Sequence, residues 1–278
     1  EVIFMKKTLI ALAVAVSAVS GAAHAWTAGD FNGSFDINGT IIADQYNEKW
    51  EWKVGDGLSF QNTTKEMTDG GKTLIINQDN PVSILLGRTK EAFATPMVGV
   101  GAIPLISFTD YAGEPVNLQD AEGENKGFFE LPMKDNLGNV KVNVTSAAIL
   151  SKSDTPASQV RITSLTSKSD SNIYYGGLVS SVVNTGSSAS AIVGKFGGDN
   201  HTALLSKIKQ VIPDAGSKGQ MNWIYAGTTD MVDTKGEVMA SSYALGIDAG
   251  QTIEAKFTNP VVSTTQWSAP LNVEVAYN

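Results

Sequence analysis

The sequence predicts an all-β sandwich. Apolar and polar residues alternate with period two through most of the chain, turn-forming clusters separate the alternating runs, and only one segment has helical spacing. At 278 residues, a β-rich chain can form a single domain with a sizeable core.

The first element is not part of that domain. From Met5 the chain reads MKKTLIALAVAVSAVSGAAHA, with Lys6 and Lys7 before an apolar run from Leu9 to Val19. Ala23-His24-Ala25 then forms a small-x-small cleavage site, so residues 5–25 are expected to be a secretory signal peptide. Glu1–Phe4 are expected to lie upstream of the natural start, and the mature chain to begin at Trp26. Removing Glu1, Lys6 and Lys7 takes the net charge from −8 to −9.

FNGSFDINGTII (31–42) alternates Phe31, Gly33, Phe35, Ile37, Gly39 and Ile41 against polar residues, the pattern of one long strand near the mature N-terminus. KWEWKV puts Trp50, Trp52 and Val54 on one face of a second strand. Apolar runs at 73–76, 82–86, 103–108 and 128–133 suit strands buried on both faces, and VKVNV (140–144) returns to alternation. Gly70-Gly71, Asp79-Asn80-Pro81, Ala112-Gly113, Glu122-Gly123 and Asn136-Leu137-Gly138 supply turns between them.

Residues 150–225 are rich in Ser, Thr, Asn and Gly, which predicts an inserted, variable subdomain. Within it, DNHTALLSKIKQVIP has a polar start at Asp199 and Asn200. Leu204, Leu205, Ile208, Val211 and Ile212 follow at helical spacing until Pro213 ends the helix. Alternation resumes near 240 and continues in QTIEAKF (251–257) and LNVEVAY (271–277). The last strand has Leu271, Val273, Val275 and Tyr277 on its apolar face. With no strand read after it, that edge and a groove beside it are expected to be open to an incoming strand.

Little in the sequence points to chemistry. There is no cysteine, which excludes disulfides, thiol catalysis and thiolate metal sites. One histidine, His201, remains after cleavage, and nucleophile-elbow, zinc-protease and phosphate-loop motifs are absent. Asp120, Glu122 and Glu124 alternate as in a calcium loop, but the twelfth position is Leu131 where such a loop needs glutamate; a solvated hairpin tip fits better. The expectation is a non-enzyme without metal or cofactor. The acidic balance, with a pI near 4.8 and no basic stripe, argues against nucleic acid as a partner. Tyr174 and Tyr175 lie in SDSNIYYGGLV beside polar residues, and aromatic faces in such company suit sugars.

Several stretches resemble the major subunits of chaperone–usher fimbriae, in particular the FaeG- and ClpG-like subunits of thin enterobacterial fimbriae. They are DFNGSFDINGTI, KWEWKVG, LLGRTKEAFATP (85–96), ISFTDYAG (106–113), SSYALGIDAGQTIEA and TQWSAPLNVEVAYN. The resemblance implies an immunoglobulin-like sandwich lacking its last strand and completed by donor-strand exchange. A periplasmic chaperone lends a strand first, and at the outer-membrane usher the N-terminal extension of the next subunit replaces it. By position, Phe31, Gly33, Phe35 and Ile37 (within 26–38) are the donor residues, and Leu271, Val273, Val275 and Tyr277 line the acceptor edge of the 39–278 domain. The resemblance also implies a surface fimbria, and in this branch a major subunit that is itself the adhesin for host glycoconjugates. Tyr174, Tyr175, Arg161 and Lys152 are the candidate glycan contacts, chosen on chemistry and location. Two departures stand out: many fimbrial subunits have a disulfide, absent here as in the FaeG-like branch, and many have glycine where this chain has Thr265. A monomeric secreted lectin is the alternative reading. It needs no terminal donor strand.

Overall fold

The computed structural model describes residues 46–94, 101–154, 158–233 and 235–278. The fold is all-β, with two short helices. Strands β1 (Trp50–Val54), β2 (Thr73–Asn77) and β3 (Val82–Thr89) match three of the runs read from sequence. Next come β4 (Pro104–Thr109), the two-residue β5 (Pro115–Val116) and β6 (Gln119–Asp120), and β7 (Lys126–Pro132). The 140–144 run is the start of a much longer strand, β8 (Gly138–Ser153), which antiparallel β9 (Val160–Ser164) follows. After helices α1 (Gly186–Lys195) and α2 (His201–Val211) come β10 (Gln220–Asn222), β11 (Met239–Ile247), β12 (Thr252–Phe257) and β13 (Asn272–Tyr277).

β8 organises the large sheet, whose main path runs β1-β3-β11-β8-β12-β2. On one side its first residues pair with β12 and its later ones with β11. On the other side β7 pairs first and β9 follows. A second sheet has the order β13-β4-β5.

Alternation along β8 explains the two cores. Val140, Val144, Ala148 and Leu150 face the interior between the sheets, with Phe108, Phe129 and Leu245. Ala147 and Ile149 face the opposite way, against Val193, Leu204 and Ile208 of the helices. β11 lies between both cores, and all nine of its residues are buried. Each large apolar side chain sequestered in this way contributes about 1.5–3 kcal/mol.

The expected single helix is a pair. α2 starts as predicted: the Asn200 side chain accepts from the backbone N–H groups of Thr202 (3.1 Å) and Ala203 (3.0 Å). Leu204 and Ile208 carry its contact face, while Val211 is half exposed. α1 has the sequence GSSASAIVGK, whose Gly and Ser content hides the helix in propensity terms. It forms because Thr185 caps it and because Ala189 and Val193 bury completely against the sheet.

Candidate functional site

β13 pairs with β4 along one edge, Val273 opposite Phe108 and Val275 opposite Ile106. Among the described residues no strand pairs with its other edge. Its side chains alternate as the sequence requires: Asn272, Glu274 and Ala276 are exposed, whereas Leu271, Val273, Val275 and Tyr277 pack on the central core. Those four are only half-buried, however, unlike the facing Ile106 and Phe108. The apolar row thus contacts the core and still touches solvent.

A groove of about 1300 Å³ opens beside this region. Leu74, Val140, Val142 and Ile253 of the large sheet form its apolar floor. Its walls are two irregular stretches, Val54–Thr64 after β1 and Val261–Leu271 before β13. Val54 and Val262 are 64% and 90% exposed, so the walls also present apolar surface to solvent.

Tyr277 joins β13 to β1. Its hydroxyl accepts a 2.7 Å hydrogen bond from the Trp52 indole N–H, and partial burial pushes the phenol pKa up. Trp52 lies flat over Gly87 of β3, where a Cβ would come within 2.3 Å of the indole ring. Trp52 also meets Tyr174 edge-on at 6.2 Å, and Tyr174 stacks on Tyr243 at 5.0 Å. Trp52 is the contributor the sequence reading left out. The alternation in KWEWKV did place it inward, but nothing local names its partner 225 residues away.

The candidate glycan residues separate. Tyr174 has no exposed surface and takes a left-handed backbone conformation (φ 63°); its hydroxyl bonds Ser241 Oγ at 2.8 Å. A ring with no accessible face cannot stack on a sugar, so Tyr174 is corrected to a core residue. Tyr175, 43% exposed, lies beside β4, where its carbonyl accepts from Ile106 N–H at 2.8 Å. Lys152 and Arg161 are direct cross-strand partners on β8 and β9. Each is paired: Lys152 with Asp233 and Glu237, Arg161 with Asp154 at 2.5 Å.

The other polar candidates have local partners. Asp120 accepts from Ser180 N–H at 2.8 Å. His201 Nδ1 meets Ser190 Oγ at 2.9 Å, joining the two helices. Among the described residues no three His, Asp or Glu side chains are placed to hold a metal ion. The signal segment and the donor residues Phe31, Gly33, Phe35 and Ile37 lie outside the described residues.

A family model described as fimbrial, major and minor subunit, of the K88 type, matches residues 5–278. The chain belongs to this K88 fimbrial family. It is 48% identical to K88 fimbrial protein AB of Escherichia coli, over 98% of this chain and all of that protein. K88 fimbrial protein AD of the same organism is 46% identical with the same coverage, and the F41 fimbrial protein is 27% identical over 99% of this chain and all of its own length. As a K88-type subunit the chain is a fimbrial component exported to the cell surface, and its relatives are structural proteins rather than enzymes. As a fimbrial subunit the chain polymerises with copies of itself.

Proposed function

We propose that this K88-type subunit polymerises by donor-strand complementation, with residues 26–38 of one copy filling the groove of the next. The carrying observation is β13: an unpaired edge whose inward residues Leu271, Val273, Val275 and Tyr277 touch the core but stay half-exposed. An incoming strand supplies ladder partners to the edge and side chains to the groove at once. Phe31–Ile37 spans about 24 Å when extended, against about 20 Å for β13, so the lengths agree. Phe31, Phe35 and Ile37 bring large apolar groups, and Gly33 stands between them without a side chain. The domain organisation follows: 5–25 directs export, 26–38 donates, and 39–278 is the sandwich that accepts. A periplasmic chaperone holds the same groove before assembly, and the outer-membrane usher is where the exchange takes place. The fimbria also adheres to host-cell glycoconjugates, a reading supported by the exposed Tyr175 and by the polar, aromatic-bearing surface that the 150–225 region contributes.

Three versions of the mature chain test assembly by thermal melting and size-exclusion chromatography: intact, lacking 26–38, and with 26–38 moved behind Asn278 through a short linker. The truncated chain is expected to unfold or aggregate, and the rearranged chain to be a stable monomer. A truncated chain that folds alone and stays soluble refutes the proposal.

A further inference from the structure

β13 is held in its sheet by β4, and β4 is itself flanked on the edge away from β13. There β5 pairs only with Phe108 and Thr109. The first half of that edge is taken by residues of the 150–225 region. Tyr174 N–H donates to Pro104 O at 2.8 Å, Ile106 N–H donates to Tyr175 O at 2.8 Å, and Leu105 forms a parallel bridge with Tyr175. Two glycines permit the approach: a Cβ on Gly176 would lie 2.1 Å from Ile106 O, and one on Gly177 would lie 2.5 Å from Ile106 Cδ1. The inserted region therefore lends a short length of backbone to the sheet that carries β13.

The same segment reaches β13 by a second route, through side chains. A left-handed backbone (φ 63°) is costly for a residue as large as Tyr174, and it persists only where the surroundings fix it. Here they do. The hydroxyl bonds Ser241 Oγ at 2.8 Å, and the ring stacks on Tyr243 at 5.0 Å and meets Trp50 and Trp52 edge-on at 5.8 and 6.2 Å. The Tyr243 hydroxyl donates back to Gly177 O at 2.7 Å. Trp52 then passes the contact on, its indole N–H donating to the Tyr277 hydroxyl of β13 at 2.7 Å. Just beyond β13, the Asn278 side-chain amide donates to Asp170 O at 3.1 Å, so the strand and the segment also meet there.

We propose that Asp170–Gly177 braces the acceptor strand, with Trp52 and Tyr174 as positioning residues for uptake of the donor strand. This rests on the donor-strand reading above and deepens it. β13 has one unpaired edge and a half-buried inner face, so its placement depends on β4 and on the Tyr277–Trp52 contact, and the brace holds both. The coupling is reciprocal. A donor strand that covers β13 fixes Tyr277 and, through Trp52, favours the strained conformation at Tyr174; an uncovered β13 lets the brace open locally. The 150–225 region thereby has a part in assembly as well as an outer surface. Its helices do not share that part: Val193, Leu204 and Ile208 pack in the other core, which contains none of Trp52, Tyr174, Tyr243 or Tyr277.

The test is amide hydrogen exchange, followed by NMR, in the rearranged monomer with 26–38 behind Asn278. Four versions are compared: unaltered, Phe35→Ala in the relocated segment to weaken the donor, Trp52→Phe to keep a ring but remove the N–H to Tyr277, and both together. Where Phe35→Ala melts the monomer, the smaller truncation Ile37→Ala replaces it. Weakening the donor is expected to speed exchange about tenfold in β13 and by a similar factor at Ile173, Tyr174 and Gly177, with Leu204 and Ile208 changing by less than about twofold. In the Trp52→Phe background the same weakening is expected to add little at those three amides, because the link is already cut. Faster exchange in β13 with Ile173, Tyr174 and Gly177 unmoved overturns the brace and leaves the donor-strand reading standing. No change even in β13 overturns both. Equal acceleration at Leu204 and Ile208 is opening of the whole domain and overturns the brace. A full response that survives Trp52→Phe overturns the positioning role of Trp52.

Discussion

Replacing Val275 with aspartate tests the acceptor face most directly. In the uncomplemented subunit Val275 is half-buried, so a carboxylate there keeps part of its hydration and the substitution costs about 1 kcal/mol in lost apolar contact. Beneath a donor strand the same carboxylate is covered. It lies opposite Ile106, which is 4% exposed, with Val273 and Tyr277 as same-face neighbours and no cation among them. The loss of valine burial, about 1.5 kcal/mol, and the desolvation of an unpaired charge then add to at least about 3 kcal/mol. In the rearranged monomer with 26–38 behind Asn278, that is a fall in melting temperature of about 6–12 °C for a domain of this size. In filaments it is a weakening of each joint by more than about a hundredfold. Glu274→Ala on the neighbouring, solvent-facing position is the control and is expected to change stability by no more than about 0.5 kcal/mol. Equal effects of the two substitutions on the rearranged monomer show that no strand covers the inward face of β13, and the donor-strand argument then fails.

Two further outcomes follow from contacts around the site and the helices. Tyr277→Phe removes the acceptor of the Trp52 indole and leaves that partly buried N–H unpaired; a loss of about 1–2 kcal/mol is expected by chemical denaturation, with a change in tryptophan emission in the folded state. Burial alone raises the Asp199 carboxyl, but Lys207 and Arg88 outweigh it and hold the group below the ordinary carboxylate range. With the folded pKa depressed, the stability this aspartate contributes is complete above the unfolded value of about 4 and disappears as pH falls through the lower folded value. Asp199→Asn is therefore expected to cost about 1–2 kcal/mol at pH 7 and progressively less as pH falls below about 4, a convergence that melting curves across that range detect.

What the sequence discloses depends on how each element is buried. β1, β12 and β13 have one wet face or one shallow face, so their period-two pattern is visible in KWEWKV, QTIEAKF and LNVEVAY. The alternation expected from near 240 does not mark a wet and a dry face in β11, which is covered by the facing sheet and by the helices, so that every residue of MASSYALGI is buried. Its serines, which look like loop residues, are buried and bonded: Ser241 Oγ donates to Ile149 O at 2.8 Å, and Ser242 Oγ to Gly87 O at 3.4 Å. α1 is hidden for the opposite reason, because its stability comes from contacts with the sheet rather than from its own residues. Tyr174 and Tyr175 are adjacent in the chain and opposite in fate; the left-handed turn at Tyr174 decides which is buried, and neither composition nor spacing announces it.

The same reasoning separates the two ends of the molecule. Where the helices close over β8 and β11, Ala147, Ile149, Ala240 and Ala244 are completely or almost completely buried, and no further partner is needed. Where β13 closes the second sheet, four apolar residues in alternation stop at half-burial, and the groove walls are segments with no ladder of their own. Among the described residues no strand pairs with the free edge of β13, and its inward residues stay half-buried. On the proposal made here residues 26–38 of another copy cover them. The chain then remains open to its neighbour because filling its own groove would end the filament.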